Sequence, residues 1–210
     1  MKIYGTKNAG NPVRVALFLS EKGIEVPFEP VDLMKGAHRD PAFLGRNPAA
    51  QVPVLELDDG SCISESIAIC RYFERLHPNP PLMGIDARDE AVVEMWQRRV
   101  EFQFYDPARA VLRHSLPFAA RLEPVQLKEW AELNRPRVVR GMEIIDAQLA
   151  STQFIAGPRY TVADITALFT LNMTRLINIA VPDTCRHLAR WHAEISNRPS
   201  VVAILGAPKA

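Results

Sequence analysis

Cysteine is scarce, with Cys62, Cys70 and Cys185 the only three in 210 residues. None forms a Cys-x-x-Cys pair, and their spacing fits no metal-ligand cluster. That excludes a disulfide framework, a cysteine-built zinc site and an adjacent-dithiol redox centre. An odd count at wide spacing points to a reducing cytoplasm, with each cysteine read as core filler. Neither sign of charge is in excess: 25 Lys and Arg stand against 24 Asp and Glu. A broad basic face for nucleic acid is thereby excluded. No apolar run approaches the roughly 20 residues that span a bilayer. The opening Met1-Lys2-Ile3-Tyr4-Gly5 reads as a strand, not a signal peptide. There is no internal repeat and no low-complexity segment. What is present is ordinary for a globular chain, 48% apolar and 23% charged. The length fits one large domain or two small ones.

Taken in order, Lys2 to Gly5 reads as a first strand, followed by a loop of turn formers from Thr6 to Asn11. Asn11 suits an N-cap and Pro12 the first helical position. That helix runs to about Lys22, with Val13, Ala16, Leu17 and Ser20 on one face, and Gly23 stops it. Val26 to Val31 is a second strand, placed at an edge by Pro27 and Pro30. Met34 to Leu44 is irregular or weakly helical. The prolines of His77-Pro78-Asn79-Pro80-Pro81 cannot continue a helix and mark a linker. Beyond it the pattern is helical: Arg88 to Arg113, bent at Pro107; a loop from Ser115 to Glu123; and Val125 to Ala150, kinked or broken at Pro136. Thr161-Val162-Ala163-Asp164 has capping-box character and opens a helix from Ile165 to Ile179. Asp183 to Ser196 and Pro199 to Leu205 close the chain.

The stretch from Asn47 to Ser66 carries the chemistry. Asn47-Pro48-Ala49-Ala50-Gln51 is a polar turn. Val52-Pro53 leads into a strand, Val54 to Leu57. Asp58-Asp59-Gly60 makes a tight hairpin turn, and Ser61 to Ile63 returns. Ser64-Glu65-Ser66 opens a helix, Ile67 to Leu76. A proline just before a strand, with its missing N–H at the rim, is a candidate for the cis form. A cis bond would turn the N–H and C=O of Val52 outward, where an extended peptide could pair with them. Beside them, a helix N-terminus carrying Ser66 would hold a carboxylate, and Glu65 an ammonium. The site reads as one for a small zwitterionic peptide.

Asn-Pro-x-x-x-Val-Pro-Val-Leu, then Asp-Gly, then Glu-Ser, in this order and spacing, resembles the glutathione-binding half of a cytosolic glutathione transferase. The resemblance implies an α/β thioredoxin-like N-terminal domain (1–78), a linker (79–87) and an all-α C-terminal domain (88–210) with the acceptor-substrate pocket. The βαβ then ββα order agrees with the thioredoxin-like half. Glutathione would enter as cosubstrate, with no metal. Gln51, Val52, Pro53, Glu65 and Ser66 would bind it, with Lys35 and His38 near its glycyl carboxylate. Arg14 has a structural role in the family, and the Thr161-x-x-Asp164 box serves folding. Tyr105, Arg109 and Phe118 are candidate lining residues for the acceptor.

The family places the thiol over the start of the first helix, where partial positive charge and free N–H groups favour a thiolate. Where the serine classes carry Ser-x-Pro-x-Arg, this chain has Gly10-Asn11-Pro12-Val13-Arg14. Tyr4 lies too far upstream for the tyrosine classes, whose frame falls on Asn8, and no cysteine is there. The pattern resembles the atypical fungal class and related bacterial sequences, with Gly or Ala at this point. That resemblance implies a water held by a Ser and a His of the helical domain, for which the chain offers His114 and Ser115. A neutral imidazole could accept a proton through that water; the alternative is that His114 caps its helix. Asn11 is the backup, donating to the thiolate directly.

The resulting expectation is a cytoplasmic homodimer that conjugates glutathione to an apolar electrophile, with no nucleic-acid or membrane partner. A non-catalytic glutathione-fold binding module stays open because Gly10 supplies no hydroxyl. Intact Gln51, Pro53, Glu65 and Ser66 oppose it. A thiol oxidoreductase is disfavoured by the lack of cysteine near Gly10.

Overall fold

A computed structural model describes residues 1–7 and 10–206. It divides into two compact units, Met1–Pro80 and Pro81–Ala210. Asn8 and Ala9, part of the expected first loop and including the tyrosine-class position, lie outside the described residues.

In the first unit, strands β1 (Lys2–Gly5), β2 (Phe28–Pro30), β3 (Val54–Glu56) and β4 (Cys62–Ser64) form one sheet in the order β2-β1-β3-β4. β1 pairs parallel with β2 and antiparallel with β3, and β3 pairs antiparallel with β4. β2 is an edge, as its prolines require. Strand alternation sends Ile3 and Leu55 to one face and Tyr4 and Val54 to the other. The second face is closed by Val31 and Phe43, with Leu33, Ala37, Val52 and Cys62 packed around them.

Helix α1 (Gly10–Glu21) packs on α3 (Ser66–Leu76). It starts two residues earlier than expected, at Gly10 instead of Pro12, so Asn11 lies within its first turn. Leu17, Phe18, Ile69 and Cys70 are each fully buried. The buried Lys22 Nζ sits 2.7 Å from Glu74 Oε2 and donates to the carbonyls of His77 and Pro80, tying the ends of α1 and α3 together. Between β2 and β3 the chain makes two 3₁₀ turns, Leu33–Lys35 and Ala37–Arg39, and the short α2 (Pro41–Leu44).

The second unit is helical. The long helix expected from 88 to 113 is α4 (Ala87–Val100), a π turn (Glu101–Tyr105) and α5 (Asp106–Ser115). Pro107 has no N–H for the carbonyl of Gln103, four residues back, and the π turn absorbs that loss. α6 (Lys128–Leu149) begins later than expected and runs through Pro136 without a break. Gly141 of α6 faces this turn: a Cβ there would lie 2.5 Å from the Gln103 carbonyl oxygen. α7 (Val162–Leu176) starts at the capping box, three residues before the expected start. Asp164 takes hydrogen bonds from the N–H groups of Ile155 (3.0 Å) and Thr161 (2.9 Å), the Thr161 hydroxyl and the Trp191 indole (2.8 Å). α8 (Arg186–Ser196) and α9 (Pro199–Leu205) follow. Upstream of α4, Leu82 and Met83 are buried, and Val162 N–H donates to the Leu82 carbonyl. No helix among the described residues is long and apolar enough to cross a membrane.

Candidate functional site

The site of the first unit follows from strand register. Val54 pairs with both Tyr4 and Ser64. The residues just before β3, those just after β4 and the end of β1 therefore share one end of the sheet. Val52–Pro53 is cis. It lies outside the strand ladder, whose pairing begins at Val54. Pro53 is buried, Val52 half-buried and Gln51 exposed.

The loop ahead of it is shaped by the buried Asn47, whose amide donates to the Gln51 carbonyl at 2.8 Å and accepts from Ala49 N–H at 3.1 Å. Ala50 takes a left-handed φ of 53° there. Asn47 is thus a shaping residue that the sequence offers only as a turn former.

Glu65 joins β4 to α3 at φ 68° and ψ 115°, a backbone conformation side-chain-bearing residues rarely adopt. Strain of this kind concentrates at functional sites. No sequence signal announced it. Ser66 follows, buried, as the first residue of α3. Its hydroxyl oxygen accepts from Arg14 Nη1 at 2.8 Å. Arg14 is itself 1% exposed, so a fixed cation backs the start of α3. Glu65 is exposed, leaving its carboxylate open to a ligand ammonium.

The two residues upstream differ in kind. Lys35 is mostly exposed, with Nζ 3.8 Å from Asp32. His38 is buried, and its Nδ1 finds no hydrogen-bond partner among the described residues. Burial first, then the Arg39 charge, holds its pKa below the ordinary histidine value. The ring therefore favours its neutral form at pH 7.

Gly10 and Asn11 sit half-buried in the first turn of α1. The Asn11 side-chain oxygen is buried without a partner among the described residues. Tyr4 is committed elsewhere: its hydroxyl donates to Glu56 at 3.0 Å.

His114 and Ser115 belong to the second unit, at the end of α5. The Leu127 N–H donates to His114 Nδ1 at 3.2 Å, and the Ser115 hydroxyl donates to the Val111 carbonyl at 2.7 Å. With Nδ1 accepting, the neutral ring carries its proton on Nε2. In that tautomer Nε2 is a hydrogen-bond donor and cannot take a proton. Ser115, its own proton spent, can only accept. Of the candidate lining residues, Tyr105 is buried, Arg109 pairs with Asp106 at 3.4 Å and Phe118 is half exposed. Among the described residues, no group of three or more His, Cys, Asp or Glu is placed to hold a metal ion.

Comparison with known proteins agrees with this architecture. The glutathione S-transferase N-terminal domain profile matches residues 1–75, and the C-terminal domain profile matches residues 103–199. Glutathione S-transferase 2 of Saccharomyces cerevisiae is 35% identical over 208 residues, covering 98% of this chain and 89% of the relative. A crystal structure of Gtt2 from Saccharomyces cerevisiae superposes with TM-score 0.93 at 35% identity, covering 97% of this chain and all of the other. A glutathione S-transferase domain-containing protein of Marinobacter aquaeolei superposes with TM-score 0.92 at 38% identity, over 96% of this chain and all of that one.

Proposed function

The chain belongs to the glutathione S-transferase family, and on that premise we propose that it conjugates the glutathione thiolate to an electrophilic carbon of an apolar small molecule. The observation that carries this is the end of the sheet formed by cis Val52–Pro53, exposed Glu65 and the Ser66 hydroxyl held by Arg14. Val52 would pair with the peptide backbone, Ser66 and the α3 N-terminus would take the γ-glutamyl carboxylate, and Glu65 the ammonium. Gln51, Lys35 and His38 would meet the glycyl end.

The thiolate would lie over the first turn of α1, at Gly10 and Asn11, where the helix end favours negative charge. For His114 and Ser115 we propose a water that accepts from His114 Nε2–H and donates one proton to Ser115 Oγ. Its other proton would point at the thiolate sulfur. In that role the water would stabilise the thiolate instead of serving as base. Much of the rate would come from the lowered thiol pKa and from holding sulfur near the acceptor.

A homodimer in the cytoplasm completes the proposal, and light scattering checks the dimer: the mass of two chains supports it, and the mass of one opposes it. The enzymatic test is glutathione-dependent turnover of a chloronitrobenzene, followed by absorbance. Turnover first order in enzyme supports conjugation. Glutathione binding without turnover of any electrophile in a broad panel would favour the binding-module reading.

A further inference from the structure

The segment carrying Lys35 and His38 is held by side chains rather than by a backbone ladder. Nine N–H groups between Gly36 and Asn47 bond to carbonyls between Asp32 and Phe43, all within or beside the segment itself. Phe43, Leu33 and Ala37 pack against Tyr4 and Val54 of the sheet. One polar bridge adds direction to that packing. Arg46, two residues past α2, places Nε 2.8 Å from Glu56 Oε2 on β3. Its Nη1 donates to the Ala42 carbonyl in α2 at 2.7 Å. Its guanidinium carbon lies 4.6 Å from the centre of the Tyr4 ring on β1, and the Tyr4 hydroxyl donates to the same Glu56 oxygen. One guanidinium thus joins α2 to two strands, and the next residue, Asn47, fixes the loop leading to Val52. Hydrogen bonds from Arg46 and Tyr4 hold the Glu56 carboxyl below the usual carboxylate range, so the bridge is ionised at neutral pH.

We infer that Arg46, Glu56 and Tyr4 form a positioning cluster that fixes the pose of the arm bearing Lys35 and His38, and through it the affinity for glutathione. The inference rests on the glutathione reading above. None of the three side chains is assigned a contact with substrate. Their loss should therefore move the KM for glutathione and leave the chemical step alone.

The test is steady-state kinetics of the full chain with Arg46→Ala, Arg46→Lys and Glu56→Gln. Arg46→Ala is expected to raise the KM for glutathione about tenfold, with kcat and the electrophile KM within about twofold of wild type. Arg46→Lys keeps the charge but cannot reach Glu56 and Ala42 together, so it should fall between. A second readout is free of turnover: trypsin should cut after the exposed Lys35 faster in Arg46→Ala than in wild type. Unchanged KM for glutathione in all three variants, with normal binding by wild type, overturns the inference alone. A fall in kcat at constant KM also overturns it. Wild type that fails to bind glutathione overturns the site reading and the inference with it.

Discussion

Arg14 Nη1 lies 2.8 Å from the Ser66 hydroxyl, joining α1 to the first residue of α3. In the proposed site one helix would face the thiol and the other the γ-glutamyl carboxylate, so this contact would set the distance between the two subsites. Arg14→Met keeps most of the buried stem and removes the donor. Glutathione affinity is expected to fall, with a stability loss of about 2 kcal/mol for the lost charged hydrogen bond. Calorimetry and urea unfolding measure the two. Unchanged affinity with lowered stability would reduce Arg14 to a packing role.

Thiol activation separates by pH profile. If the water held by His114 and Ser115 only stabilises the thiolate, His114→Ala should shift the rate profile to higher pH and recover turnover in alkaline buffer. Loss of a general base would instead depress turnover at all pH values, by roughly 100-fold. Asn11→Ala is the control for the helix end. If Asn11→Ala alone loses activity, His114 and Ser115 have no part in the chemistry.

Asp164 is buried beneath four donors, and burial pushes its pKa up to about 6 against their opposing pull. Asp164→Asn puts an amide donor against existing donors and should cost about 3 kcal/mol. The sign of the pH effect follows from linkage. A folded pKa raised above the unfolded value means that the folded state takes up the proton first as pH falls. The stability contributed by the proton is fully present below the unfolded value and is lost as pH rises through about 6. The margin of wild type over Asp164→Asn should therefore widen as the pH drops from 7 to 5. A margin that narrows contradicts this.

Gly141→Ala tests the π turn. The new Cβ would meet the Gln103 carbonyl oxygen at 2.5 Å and Phe104 at 2.9 Å, both belonging to the π turn. The backbone must move, at a cost of about 3 kcal/mol. Thermal unfolding would show it. Wild-type stability would mean that the π turn yields easily.

The thioredoxin-like half was legible because Pro and Gly punctuate it and because Val52-Pro53 and Glu65-Ser66 fall at fixed spacing. The Thr161-x-x-Asp164 box was legible as a local motif, though its helix starts at Val162 because capping residues begin the helix they stabilise. A kink or break at Pro136 was expected because proline forfeits one hydrogen bond, and the helix is unbroken there. Packing of Val138, Met142 and Ile145 just beyond it keeps α6 whole. Pro107 marked a bend but not a π turn, since one extra residue per turn leaves no compositional trace, and Gly141, which faces the turn, lies far along the chain. Arg14 and Ser66 stand 52 positions apart, and nothing local announces that they touch. The positive φ of Glu65 was hidden for a different reason, because glycine usually marks such a conformation.

Titration calorimetry of the full chain with glutathione, wild type beside Ser66→Ala, tests the central claim most directly. Wild type should bind at millimolar glutathione or tighter, and Ser66→Ala should bind more weakly by about 1 to 3 kcal/mol if the hydroxyl holds the charged end of the ligand. No heat of binding by wild type at high millimolar glutathione, in a protein shown to be folded, would contradict it.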